Sequence, residues 1–157
     1  MKVCLLVIGK TDASYIQQGV EEYEKRLRYY LPYEMKIIPD VKNTKSLSEE
    51  QQKAKEGEMI LKQLELGDFV VLLDERGSEY TSKAFADFLA QKMLRGIKRL
   101  VFVIGGPYGF APDIYKSVHM RISLSKMTFS HQMVRMIFVE QLYRAMTIIK
   151  GEPYHHE

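Results

Sequence analysis

Short runs rich in apolar residues alternate along the chain with longer segments in which apolar residues recur every three or four positions. The short runs have the length of β-strands, and they cover residues 2–9, 34–38, 69–73, 100–104 and 120–124. Two of them, 69–73 and 100–104, are apolar throughout, which is typical of parallel strands covered on both faces. Strands that alternate with helices predict an α/β fold, with a mostly parallel sheet and helices on both of its faces.

The segments between these runs carry the signals that begin and end amphipathic helices. Asp12 is placed to cap a first helix, which Pro32 prevents from continuing. Ser46 and Glu49 have the spacing of a capping box and predict a second helix that extends toward Leu66. Three further helices are predicted to begin at Thr81 or Ser82, at Pro112 and at His131. No repeat or linker interrupts this pattern, so we expect a single domain over residues 1–157.

Three predicted loops follow the carboxyl ends of strands, where open α/β sheets bind their ligands. The first covers residues 74–78. The second, 105–109, combines three glycines with Pro107, so that a ligand can approach the backbone closely, although taken alone it is better explained as a tight turn. The third, 125–129, offers backbone amides, two hydroxyls and apolar side chains that suit an adenine or a ribose. By itself this third loop is better explained as an ordinary connection with a helix cap.

Gly9-Lys10-Thr11 resembles the end of a phosphate-binding P-loop, but the full motif needs a glycine where this chain has Cys4. No metal-ligand triad with a recognisable spacing accompanies it, and no metal is expected. Nucleotide hydrolysis is therefore the least favoured of the enzyme classes considered.

Composition adds two constraints on location and partners. The single cysteine of the chain cannot form an internal disulfide, and no apolar run is long enough to cross a bilayer, so we expect a cytoplasmic protein without membrane contact. Net charge is only +3, but residues 116–157 carry six basic residues, three acidic residues and all four histidines. This C-terminal quarter is where we expect a polyanion to bind, although a solvated helical face would have the same composition.

Charged residues punctuate the last predicted helix and the tail that follows it. His131 and Arg135 share a helical face, and Glu140 and Arg144 have the spacing of an ion pair. A capping role for His131 is as well supported as a catalytic one. The tail at 151–157 would be disordered by default, but its tyrosine and two histidines also suit a segment that covers a site.

Taken together, these segments resemble one family. Asp74-Glu75-Arg76-Gly77, Gly105-Gly106-Pro107-Tyr108-Gly109, Ser125-Lys126-Met127-Thr128-Phe129-Ser130-His131 and Glu140-Gln141-Leu142-Tyr143-Arg144 follow one another in order. Pro153-Tyr154-His155 completes the set. The whole chain resembles the bacterial large-subunit rRNA pseudouridine N3-methyltransferases, the minimal SPOUT enzymes known as family H.

The resemblance implies a C-terminal trefoil knot, although knots are otherwise nearly absent from proteins. It also implies S-adenosylmethionine as cofactor, a homodimer in which one protomer's tail completes the other's site, and action on the ribosome at a pseudouridine of large-subunit (23S) rRNA. The implied cofactor-binding residues are Leu72, Leu73, Gly105, Gly106, Pro107, Leu124, Ser125, Lys126, Met127, Thr128 and Phe129.

The methyl acceptor in this family is an imide nitrogen, which is a poor nucleophile while protonated. Catalysis therefore requires alignment, loss of a proton and a cation near the developing anion. We expect the acceptor side to consist of Tyr154, His155, His156, His131 and Arg135, with Glu140 and Arg144 orienting it. The sequence does not choose the base, and bulk water is an alternative to a side chain. Relatives often carry Arg or Lys at the position of His156.

Two other functions compete with this one. A non-catalytic ribosome-assembly or RNA-binding factor would use the basic C-terminal face but would not bind S-adenosylmethionine. A SPOUT methyltransferase acting on a tRNA base or a guanosine ribose would bind the cofactor but modify another acceptor, and the short chain without an added RNA-binding domain argues weakly against it.

Overall fold

A computed structural model describes residues 1–156 as one five-stranded sheet with helices packed against it. The strands are β1 (Lys2–Ile8), β2 (Tyr33–Ile38), β3 (Phe69–Glu79), β4 (Arg99–Ile104) and β5 (Met120–Ser123). The helices are α1 (Ser14–Leu27), α2 (Glu49–Leu61), α3 (Ser82–Leu94), α4 (Pro112–Lys116) and α5 (Met133–Lys150), with a short 3₁₀ turn at Thr44–Ser46. The sheet order is β2-β1-β4-β3-β5, and every pair is parallel. The predicted α/β class is confirmed.

Two hydrophobic clusters, one on each face of the sheet, explain why the central strands are apolar throughout. Val3, Leu5 and Val7 of β1 point into a cluster with the buried residues of α1, α3 and α5. Cys4 and Leu6 point the other way, into a smaller cluster with residues of α2 and α4. Since successive strand residues face opposite sides, a strand covered on both faces has no position for a polar residue. The predicted helices on both faces are confirmed, whereas the trefoil knot stays a prediction about how the chain is threaded.

The predicted loop at 74–78 is wrong, because β3 continues through it to Glu79. β3 pairs with β5 on both sides of a register shift between Leu73 and Ser78. Gly77 lies so close to β5 that a Cβ there would come within 2.7 Å of the Arg121 carbonyl carbon. Pairing with a strand that is distant in sequence therefore holds this polar segment in the sheet, past the point where β4 has ended.

Several predicted helix boundaries also need correction. Ala13, not Asp12, is the N-cap of α1, and it has no side-chain cap. The capping box of α2 is formed by Ser48 and Gln51 rather than by Ser46 and Glu49, and α2 ends at Leu61 rather than near Leu66. α5 begins at Met133, two residues after the predicted start. The Thr81 cap of α3 is confirmed, since its hydroxyl accepts a hydrogen bond from the Ala84 amide at 3.0 Å.

Candidate functional site

A cavity of about 660 Å³ opens at the carboxyl ends of β4 and β5, beside the part of β3 that extends beyond β4. Its size lies within the usual range for small-molecule sites. Nine of the eleven residues expected to bind a cofactor line it: Leu73, Gly105, Gly106, Pro107, Leu124, Ser125, Met127, Thr128 and Phe129. The structure thus brings together, in one concave site, three chain segments that are separated by many residues in the sequence.

The other two expected residues lie elsewhere. Leu72 is fully buried in the cluster beneath α2 and α4. The Lys126 ammonium points to solvent and lies 3.5 Å from a carboxylate oxygen of Glu79. Side-chain contact with a ligand in the cavity is therefore not supported for either residue.

Local hydrogen bonds fix the loop at 124–132, which forms one wall of the cavity. The Ser123 hydroxyl donates to the Ser125 carbonyl at 2.8 Å, and the Ser125 hydroxyl accepts from the Met127 amide at 2.9 Å. The Thr128 hydroxyl donates to the Glu75 carboxylate. The extended end of β3 thereby ties down this wall, while the Met127 side chain remains 77% exposed.

The opposite wall is formed by the glycine-rich loop after β4. The Gly109 amide donates to the Gly106 carbonyl at 3.1 Å, which closes a tight turn. A Cβ at Gly105 would lie 3.1 Å from the Phe110 ring, so backbone rather than side chain faces the cavity there. Bare peptide groups, apolar side chains and hydroxyls together suit a nucleoside with polar edges and flat apolar faces.

The sequence did not single out several cavity residues, among them Lys53 and Tyr115. Lys53 comes from α2 and Tyr115 from α4, two helices that carried no candidate residue. The Tyr115 hydroxyl donates to the Asp74 carboxylate at 2.9 Å, and the Arg121 guanidinium lies 5.0 Å from the Tyr115 ring centroid. Burial and the bond to Asp74 raise the pKa of Tyr115, which therefore acts as a hydrogen-bond donor.

His131 lines the cavity, but Arg135, one helical turn later, does not. Arg135 is fully buried, and its guanidinium donates to the Ile8 carbonyl at 2.8 Å, the Gly9 carbonyl at 2.9 Å and the Thr11 hydroxyl at 3.0 Å. Burial lowers the pKa of Arg135, with Asp12 and Asp40 opposing that effect. This position gives Arg135 a structural role at the end of β1 and does not support the expected contact with a methyl acceptor.

The C-terminal tail folds back onto α5 rather than extending into solvent. The Tyr154 hydroxyl donates to a Glu140 carboxylate oxygen at 3.0 Å, and the same oxygen accepts from the Arg144 guanidinium at 2.6 Å. A second Arg144 nitrogen lies 3.2 Å from Nδ1 of His155. These four residues, Glu140, Arg144, Tyr154 and His155, form one connected group, which we call the tail cluster.

Aromatic packing reinforces the tail cluster. Tyr143 and Tyr154 meet edge to face with ring centroids 4.7 Å apart, and the Arg144 guanidinium lies 4.7 Å from the Tyr154 centroid. Burial, together with hydrogen bonds to Tyr23 and Glu140, raises the pKa of Tyr154. Tyr154 is therefore protonated near neutral pH and acts as a donor. His156 is exposed beyond this cluster.

The tail cluster does not line the cavity of its own chain. Among residues 1–156, the cavity lining extends along α5 only as far as Val134. On α5 the tail contacts Glu140 and Arg144, which lie about 9 and 15 Å along the helix axis beyond Val134. The acceptor-side residues expected from the sequence thus lie in two places, with His131 at the cavity and the tail cluster away from it.

Residues 1–156 lack two further kinds of feature. In that part of the chain no helix is long and apolar enough to cross a membrane. The same residues contain no group of three or more His, Cys, Asp or Glu side chains arranged to hold a metal ion.

Comparison with known proteins identifies close relatives. A family described as "Predicted SPOUT methyltransferase" matches residues 1–155. The chain is 62% identical over its full length to the full-length ribosomal RNA large subunit methyltransferase H of Parabacteroides distasonis. It is 55% identical to the protein of the same name from Christiangramia forsetii, with 99% of each chain covered.

A solved structure shares the fold. The structure of a probable methylase family protein from Haemophilus influenzae Rd KW20 aligns with 99% of this chain and 70% of its own, with a TM-score of 0.51 and 12% sequence identity. At that identity the likeness concerns the fold alone.

Proposed function

Because the chain belongs to the SPOUT methyltransferase family, we propose that it transfers a methyl group from S-adenosylmethionine to N3 of a pseudouridine in large-subunit rRNA. The names of its relatives support rRNA as the acceptor. The cavity at the ends of three parallel strands carries the proposal, since its lining combines the three segments expected to hold the cofactor.

When bound, S-adenosylmethionine would supply a methyl group already activated on a sulfonium, so the protein needs only to hold it and align an acceptor. The 105–109 turn offers backbone groups to the nucleoside part, and Leu124 and Phe129 offer flat apolar contacts. Ser125 and Thr128 are held by hydrogen bonds, so the wall they form is organised before a ligand arrives.

The acceptor side is proposed to come from the tail cluster of a second protomer, because the tail cluster does not line the cavity of its own chain. If Nδ1 of His155 accepts a hydrogen bond from Arg144, the ring carries its proton on Nε2. That Nε2–H can donate to a carbonyl oxygen of the uracil ring and stabilise the imide anion. The N3 proton then passes to solvent water, and neither His155 nor Tyr154 acts as the base.

We propose a homodimer that acts on ribosomes, in which each site takes its cofactor side from one chain and its acceptor side from the other. Arg144 supplies a cation next to the proposed donor and is itself held by Glu140 at 2.6 Å. We propose that Glu140 and Arg144 orient His155, and their spacing on the helix gives the expected ion pair. His131 lies at the cavity and is proposed to meet the acceptor from the cofactor side.

The direct test incubates the purified protein with labelled S-adenosylmethionine and with ribosomes from cells that lack this modification. We expect one labelled nucleotide per large subunit, which mass mapping identifies as N3-methylpseudouridine. Label in tRNA would instead support a SPOUT enzyme with another acceptor. Ribosome binding without any uptake of S-adenosylmethionine would support a non-catalytic assembly factor.

A further inference from the structure

A buried carboxylate, Glu56, lies directly behind the glycine-rich loop at 105–109, which forms one wall of the cavity. Glu56 belongs to α2 and is 3% exposed. Its Oε1 has no hydrogen-bond partner among residues 1–156, and its Oε2 has only a long bond, 3.4 Å, from the Gln52 amide. Buried carboxylates normally have cations or several donors around them, so an under-partnered one needs an explanation.

Only the backbone of Gly106 separates this carboxylate from the cavity. A Cβ added to Gly106 would lie 2.4 Å from Oε2 and 2.7 Å from Oε1 of Glu56. The carboxylate thus occupies the space that a side chain at position 106 would need, while the other side of Gly106 lines the cavity. Any residue larger than glycine would push the negative charge away from the ligand site.

The charged groups near Glu56 do not neutralise it. Burial raises the pKa of Glu56, and the negative charge of the nearby Asp40 raises it further. Lys53 lies one turn earlier on α2 and lines the cavity. A cation bound in the cavity would favour the ionised carboxylate, and by reciprocity the ionised carboxylate would favour a cationic ligand.

We propose that Glu56 makes the cavity select a positively charged sulfonium ligand over its neutral thioether product. This inference rests on the proposed function and adds a specificity residue to it. S-Adenosylmethionine and S-adenosylhomocysteine differ by one methyl group and one positive charge, so contacts to adenine, ribose and the amino-acid part bind both alike. A buried charge behind the Gly106 backbone distinguishes them, because two charges are screened less across buried protein than across water. The preference would help the product to leave after each turnover.

The experiment measures dissociation constants by calorimetry for three ligands and two variants. The ligands are S-adenosylmethionine, neutral S-adenosylhomocysteine and sinefungin, in which an amine-bearing carbon restores the positive charge without a transferable methyl group. Glu56→Gln keeps the shape of the side chain and removes its charge. Glu58→Gln makes the same change on the exposed side of α2 and serves as the matched control.

We expect Glu56→Gln to weaken the binding of S-adenosylmethionine and of sinefungin at least tenfold, and the binding of S-adenosylhomocysteine less than threefold. Glu58→Gln should leave all three dissociation constants unchanged. An equal loss of affinity for all three ligands would overturn the proposal. Glu56 would then support the shape of the cavity or bind the amino-acid part that the three ligands share. Unchanged affinities would overturn it as well. If the unmodified protein bound none of the three ligands, the proposed function itself would fail, and that result is distinct from both.

Discussion

At the scale of single residues, Glu56 shows a conflict between stability and binding. Burial without adequate hydrogen bonds is unfavourable for a carboxylate, and the nearby Asp40 makes ionisation harder still. Gly106 keeps the carboxylate in place by having no side chain. Residues that destabilise a fold and face a ligand site are often retained for binding.

This conflict predicts that Glu56→Gln stabilises the unliganded protein at high pH. The raised pKa means that the folded state holds the Glu56 proton more tightly than the unfolded state. Stability from this group is therefore complete below the ordinary glutamate pKa and is lost as pH rises through the folded-state value. We expect thermal unfolding to give a higher Tm for the variant than for the unmodified protein at pH 8, with the difference vanishing near pH 4. A lower Tm for the variant at pH 8 would contradict this account.

His155 is the second residue for which the geometry predicts a measurable effect. Its Nδ1 lies 3.2 Å from a guanidinium nitrogen of Arg144, in the tail cluster that we propose completes the site of a neighbouring protomer. We expect His155→Ala to lower kcat about 100-fold, the usual effect of losing a donor to a developing anion. Binding of S-adenosylmethionine, measured by calorimetry, should change little, because the tail cluster does not line the cavity of its own chain. Methylation at the unmodified rate by a dimer that binds cofactor would exclude a catalytic role for His155.

At the scale of secondary-structure elements, the sequence predicted what depends on local pattern and missed what depends on distant partners. The apolar runs of β1, β3 and β4 located the centre of the sheet because residues of these strands are buried on both of its faces. The polar end of β3 was missed because β5, more than forty residues later, holds it in the sheet. Two overlapping capping-box patterns begin at Ser46 and Ser48, and the second is the one that forms, because Ser46 belongs to the 3₁₀ turn that precedes α2.

The residues of the candidate site likewise divide into those that the sequence predicted and those that it missed. Residues on strand-end loops, such as Gly105 and Ser125, were predicted because their position follows from the order of strands. Lys53 and Glu56 were missed because they reach the site from α2, whose rotation about its own axis is set by packing. The tail was expected to be disordered by default, and contacts of Tyr154 with Tyr143 and Glu140 order it instead.

Arg135 provides the test at this scale, since it joins α5 to the end of β1. Replacing it with Met keeps an unbranched chain in the core but leaves the Ile8 and Gly9 carbonyls without these donors. Unpaired buried carbonyls cost about 1–3 kcal/mol each. We therefore expect Arg135→Met to lower the free energy of unfolding by about 3 kcal/mol, or the Tm by roughly 10 °C.

The control is Arg26→Met, which removes a surface guanidinium that pairs with Glu22 on α1 and should leave the Tm nearly unchanged. If Arg135→Met kept the Tm of the unmodified protein and lost only methylation, the original expectation of an acceptor-side role would be restored.

At the scale of the whole molecule, the main question is which chain completes which site. The cavity lies at the carboxyl edge of the sheet, and the tail cluster lies along the second half of α5. A single chain thus holds both halves of the proposed machinery but does not bring them together. Two chains related by a twofold axis can do so reciprocally, because each contributes a cavity to one site and a tail to the other.

A mixed dimer tests this arrangement directly. Thr128→Trp, at an exposed position on the cavity rim, fills the cavity of its own chain, whereas His155→Ala disables only the tail. Each homodimer of these variants should be nearly inactive. A heterodimer, co-expressed and purified through two different tags, has one site with both parts intact and should recover about half of the unmodified activity per dimer. If instead each tail served the cavity of its own chain, both sites of the heterodimer would contain one defect, and no activity would return.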